Sequence, residues 1–128
     1  MYRQLGMMKK PFRESGRFEF RNTDIAETYW HQRIMGESDK AAKLDVMEEF
    51  HVSKSTVKTA INEHPKQCRY VLGMLAGVFG IEDERIQRGI KYMRKLEQRL
   101  RDQGIMPPEY EEWLEAKRNR YRKQQKGS

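Results

Sequence analysis

Ser53, Lys54, Ser55, Thr56, Lys58, Thr59 and Asn62 crowd short hydroxyls, two ammonium groups and one amide into a single ten-residue stretch. On a helix that turns Val57 and Ala60 or Ile61 inward, these polar groups face outward. Hydroxyls and amides donate and accept hydrogen bonds to base edges, and lysine ammonium groups neutralise phosphate. Such a face is slim enough for the major groove of a duplex. A helix used only for packing more often carries glutamate and alanine at those positions.

No catalytic set accompanies them. His31, His51 and His64 are not spaced as ligands with Cys68 or with paired acids, and Cys68 has no base near it in sequence. Gly73, Gly77 and Gly80 do not follow a strand, and no Gly-Lys-Ser/Thr occurs, so a phosphate-binding loop is not expected. Glu82-Asp83-Glu84 falls where a helix begins and favours its dipole, while Glu109, Glu111, Glu112 and Glu115 read as a solvated face. The expectation is a chain that is not an enzyme and takes no metal or cofactor.

A helix can be held outward only if a corner beneath it is filled. Val46 and Phe50 supply that corner from a preceding helix, Val52 plugs it from the turn, and Val57 with Ala60 or Ile61 closes it. Ser53 caps the outward helix through its first N–H groups. The segment from Val46 to Ile61 resembles bacterial helix-turn-helix regulators. It is most similar to the two-helix unit of GntR-type repressors and of sigma-factor region 4, where a phrase close to F-x-V-S-x-x-T-V-x-x-A-I recurs. The likeness covers about twenty of the 128 residues. It implies that Ser53, Lys54, Ser55, Thr56, Lys58 and Thr59 lie against DNA, in a regulator of bacterial, phage or plasmid origin. Two residues depart from the pattern: His51 stands where glycine is usual, which predicts a positive φ, and Met47 stands where alanine is usual. A winged form would continue into a β-hairpin, whereas an apolar helical run begins at Tyr70, so the winged form is rejected.

The positioning elements follow from periodicity. Residues 1–21 read as a basic, partly flexible arm, in which Arg17-Phe18-Glu19-Phe20-Arg21 alternates like a short strand or an extended segment. Residues 22–64 form the helix-turn-helix unit: a first helix capped by Asn22 or Thr23 and ended by Gly36, then helices starting at Ser38 or Asp39 and at Ser53. Residues 65–104 form a helical core or dimerisation segment, with an apolar helix over Lys66 to Phe79 and a long one over about Glu82 to Gln103. Residues 105–128 form a C-terminal helix with a basic tail, anchored by Tyr110 and Trp113. The fold class is all-α, a tri-helical DNA-binding unit followed by a glycine-containing apolar helix and long C-terminal helices.

Gly73 and Gly77, with Ala76 and Gly80, permit close approach, either against the following helix or at a two-fold subunit contact. With Ile86, Ile90 and Met93 they form the candidate dimer interface, because one short reading unit gives few base contacts and pairing on two half-sites supplies more. The stripe of Ile86, Ile90, Met93, Leu96 and Leu100 is short for a free-standing coiled coil and suits a core equally.

Length allows one domain, and 37% hydrophobic against 35% charged residues calls for an economical helical core. The net charge of +7 is concentrated at the ends. Arg17 and Arg21 near one end, and Arg118, Arg120, Arg122 and Lys123 near the other, are candidate phosphate contacts, or simply parts of solvated tails. The last group would also suit RNA single strands. No apolar run reaches the ~20 residues that span a bilayer, and residues 1–10 lack the apolar stretch of a secretory signal. A single cysteine points to the cytoplasm. The expected partners are double-stranded DNA, a second copy of the chain, and RNA polymerase or another protein, with no membrane. The expected function is sequence-specific transcription regulation as a dimer with the recognition helix in the major groove. The alternatives are a DNA-binding assembly component (small terminase subunit, replication or partition factor) and a protein-interaction adaptor.

Overall fold

A computed structural model of the chain describes the backbone of residues 15–126 and the side chains of residues 21–120 and 122. Six helices carry it: α1 (Ser15–Met35), α2 (Asp39–Phe50), α3 (Lys54–Glu63), α4 (Lys66–Phe79), α5 (Glu84–Asp102) and α6 (Pro108–Lys126). Among the described residues there is no strand.

The strand or extended arm expected over Arg17 to Arg21 is instead the opening of α1, and Asn22 and Thr23 lie within that helix rather than capping it. A five-residue strand with no partner leaves its N–H and C=O groups unpaired. Running the helix back through the same residues pairs them. No proline or glycine interrupts the stretch from Arg17 to Met35. The part of the expected arm from Ser15 to Arg21 is therefore helical, and the rest of it, residues 1–14, lies outside the described residues.

Each later boundary has a local cause. Gly36, at φ 123°, ends α1 as its N–H reaches Arg33 O at 3.1 Å and the Glu37 N–H reaches Gln32 O at 2.9 Å. Ser38 starts α2, its Oγ accepting from the Ala41 N–H at 3.1 Å. His51 ends α2 in the left-handed region at φ 55°, ψ 51°, the conformation expected where glycine is usual. The Val52 N–H then closes back on Met47 O at 3.1 Å. Pro65 is buried in the short link to α4, and Asp83 caps α5 by accepting from the Arg85 N–H at 2.8 Å.

α1 is the central element and packs against α2, α3, α4 and α5. Its Ile25, Tyr29, Trp30 and Ile34 are buried with Val46 of α2, Val57 and Ala60 of α3, Val71 and Leu72 of α4, and Ile86, Leu96 and Leu100 of α5. The close helix approach is made by Gly89 of α5, where a Cβ would meet Leu72 Cδ1 at 2.6 Å and Ile34 Cγ1 at 3.0 Å. Gly73 and Gly77 do not pack on α5: a Cβ at either meets nothing within 4 Å.

α6 is tied down by Glu97, a buried carboxylate on α5. Arg69 of α4 reaches it with two bonds, Nε to Oε2 at 2.7 Å and Nη2 to Oε1 at 3.2 Å, and the Tyr110 hydroxyl of α6 also donates to it. Burial alone would raise the Glu97 carboxyl, but the bonds from Arg69 and Tyr110 outweigh it and hold the group below its ordinary range. Trp113 stacks on Tyr110 with ring centres 5.7 Å apart, while Lys66 and Lys117 lie over its ring.

Candidate nucleic-acid interface

α2 and α3 meet across a three-residue turn, His51-Val52-Ser53. Val46, Val57, Ala60 and Ile61 are buried in the corner, and Met47, Phe50 and Val52 pack partly buried against them. Ser53 Oγ accepts from the Thr56 N–H at 3.2 Å, which starts the helix, and lies 3.1 Å from Thr56 Oγ1, so the two hydroxyls also bond each other. The corner gains a further tie: Arg21 of α1 donates to the Phe50 carbonyl at the end of α2. A cation and an unsatisfied C-terminal carbonyl are natural partners.

The outward side of α3 is open along its first two turns. Lys54, Ser55, Lys58 and Thr59 are exposed, whereas Thr56 and Asn62 are half-buried. Ser55, Lys58, Thr59 and Asn62 fall on one strip by their spacing of three and four. Toward the C-terminal end the chain itself closes in. Arg99 of α5 donates to Asn62 Oδ1 at 2.5 Å, and Ile105, Pro107 and Glu109 share a cleft with Thr59, Asn62 and Glu63. Asn62 is therefore held as a bridge to α5, and acids border that end of the strip.

Beside Lys58 lies a cleft of about 350 Å³ that sequence reasoning did not foresee. Lys43 of α2, Lys58 of α3 and Arg99 of α5 line it together with Tyr29 and Asp39. Three cations from three helices thus converge at one flank of the outward strip. Asp39 is their local counter-charge, pairing with Lys43 at 2.9 Å and accepting from the Tyr29 hydroxyl. Burial works to raise the Asp39 carboxyl, but the bonds from Tyr29 and Lys43 prevail and keep it low. Burial, followed by the bond to Asp39, raises the Tyr29 hydroxyl, so it stays a donor. Sequence reasoning missed both: Lys43 could have been found only from its spacing of four from Asp39, and nothing in the local pattern around Arg99 distinguishes it from other charges on α5.

The remaining candidates are scattered. Arg118 is exposed and pairs with Glu115 at 2.6 Å, Arg120 is exposed, and Arg122 reaches Asn119 at 3.5 Å. Arg17 lies in α1 and Lys123 in α6, with side chains outside those described. In the candidate dimer set, Gly73 and Gly77 are exposed, but Ile86 is fully buried in the chain's own core, and Ile90 and Met93 pack partly buried against it. Ile86 has no surface left for a partner.

Cys68 is buried, and burial, then the nearby Glu97 charge, pushes its thiol up to about 12. Among the described residues no three His, Cys, Asp or Glu side chains gather as a metal site, and no helix is long and apolar enough to cross a membrane. No family model, curated protein or solved structure matches this chain, so the functional reading rests on its own geometry.

Proposed function

We propose that the chain is a sequence-specific DNA-binding regulator of transcription that works as a dimer, with α2 and α3 as a helix-turn-helix and α3 in the major groove. One observation carries the reading: the first two turns of α3 expose Lys54, Ser55, Lys58 and Thr59 while a filled corner holds the helix out from the body. Ser55 and Thr59 read base edges, and Lys54 and Lys58 contact phosphates or guanine edges. Lys43 and Arg99, which flank Lys58, add phosphate contacts that fix the docking register. Asn62, being bonded to Arg99, acts through that cation rather than on a base.

The test is a randomised-duplex selection with the full chain at stated salt, followed by titration of the recovered site. An enriched inverted repeat is expected. Replacing Lys58 and Thr59 together by alanine should then cost about 1–3 kcal/mol of binding on that site. Recovery of no motif, or unchanged binding by the double variant, refutes the reading. Rings or larger oligomers in solution would favour the DNA-binding assembly component instead.

A further inference from the structure

The side of α4 turned away from the core is unlike the rest of the surface. From Tyr70 to Ile81 there is no charged residue, in a chain of which 35% is charged. Tyr70, Met74 and Val78 on that side are 59%, 48% and 70% exposed, and Ile81 in the following turn is 58% exposed. The opposite side of the same helix buries Cys68, Val71, Leu72 and Leu75. A helix apolar all round is at home only where both sides are covered.

Gly73 and Gly77 lie among those exposed side chains, and nothing within 4 Å would obstruct a Cβ at either. Glycine inside a helix is weaker than alanine, and no neighbour among the described residues explains its use here. Gly89 shows the contrast, since there the chain's own Leu72 fills the space. Two notches flanked by Tyr70, Met74 and Val78 make a surface whose ridges and hollows lie on one stripe. A two-fold axis brings such a stripe against itself, each ridge into the other copy's hollow.

We infer that this face is the contact between two copies of the chain, with the two α4 helices crossing antiparallel near Met74 and Gly77. Charge supports the second copy and the direction. Lys66 begins the stripe and Glu82 follows its end, both exposed. An antiparallel crossing sets Lys66 of one copy toward Glu82 of the other and opposes the helix dipoles, whereas a parallel crossing sets like charges together. Four exposed apolar side chains and two glycines make a small patch for a specific contact, and the proposal takes a dissociation constant on the order of a micromolar for it. The assignment rests on the dimeric part of the function proposed above and is independent of how α3 meets DNA.

Sedimentation equilibrium of the full chain tests it, with circular dichroism as the check on folding. The wild type should be dimeric at about ten times that constant. Val78→Glu, at an exposed position, should keep its helix content and weaken self-association at least about tenfold. The double variant Gly73→Ala, Gly77→Ala should weaken it similarly while its dilute monomer melts no lower than the wild type. A wild type that stays monomeric at about 100 µM, where a micromolar contact would be saturated, overturns the inference. So does a dimer unaffected by Val78→Glu, or a double-alanine dimer as tight as the wild type. Duplex titration separates the two readings. A dimer that persists in Val78→Glu and binds duplex sinks the face but keeps the DNA reading, and a Val78-dependent dimer with no duplex affinity does the reverse.

Discussion

His51 occupies the left-handed region at φ 55°, where an L side chain crowds its own carbonyl and glycine does not. His51→Gly should therefore raise stability by about 0.5–1 kcal/mol, the relief being partly offset by the looser unfolded chain, and His51→Val should lower it. Chemical denaturation of the three proteins decides the point, and equal midpoints would refute it. Glu97 makes a pH-dependent prediction. Its carboxyl is held below the ordinary value of 4.5, so the folded chain binds a proton less readily than the unfolded one. The stabilisation is complete above about pH 4.5 and drains away as acid protonates the folded carboxylate. Asp83, held at about 2 chiefly by its bonds from Arg85, acts in the same direction. Glu97→Gln should cost about 1–3 kcal/mol at neutral pH and flatten the acid limb of a melting-temperature profile. Ser53 and His51 were legible in the sequence because a cap and a turn are decided by residues within four places of each other. Glu97 was not, since its partners Arg69 and Tyr110 stand 28 and 13 residues away. Only the packed helices reveal that these three meet.

At the level of elements, the interior boundaries could be read because each has its own punctuation: Gly36, Ser38, Ser53, Pro65, Gly80 and Gly104. The start of α1 could not, because five alternating residues satisfy a strand period and a helix equally until the lack of a partner strand is known. Glycines carry a similar ambiguity. Gly73, Gly77 and Gly89 all sit inside helices, and sequence cannot tell which one a neighbour presses upon. Gly89 is the one, so Gly89→Ala should destabilise by about 1–3 kcal/mol despite its better helix propensity. Thermal melting at low protein concentration measures this. A gain in melting temperature would show that Leu72 and Ile34 yield without strain. On α3, Lys54, Ser55, Lys58 and Thr59 are exposed as the helical spacing implies, whereas Asn62 is claimed by Arg99 of a helix far along the chain.

For the whole molecule, the question is how charge of one sign is distributed about the proposed docking side. Lys43, Lys54, Lys58 and Arg99 are contributed by three helices, and Arg21 stands at the end of α2. If about four of these neutralise phosphates, the logarithm of affinity should fall with the logarithm of salt at a slope of about −4 per half-site. Titrations of one half-site duplex over a salt series measure it. A slope near zero would remove the phosphate contacts, and a loss of about one unit on replacing Lys43 or Arg99 by alanine would identify them one at a time.

Cys68 offers a clock for the molecule as a whole. The chain holds a single sulfhydryl, enclosed at the centre and disinclined to ionise. An alkylating reagent can reach it only during excursions that open the core around α4, so the labelling rate counts those excursions directly. Bound duplex, or a mate seated on α4, should slow the clock in proportion to how firmly it suppresses breathing of the interior.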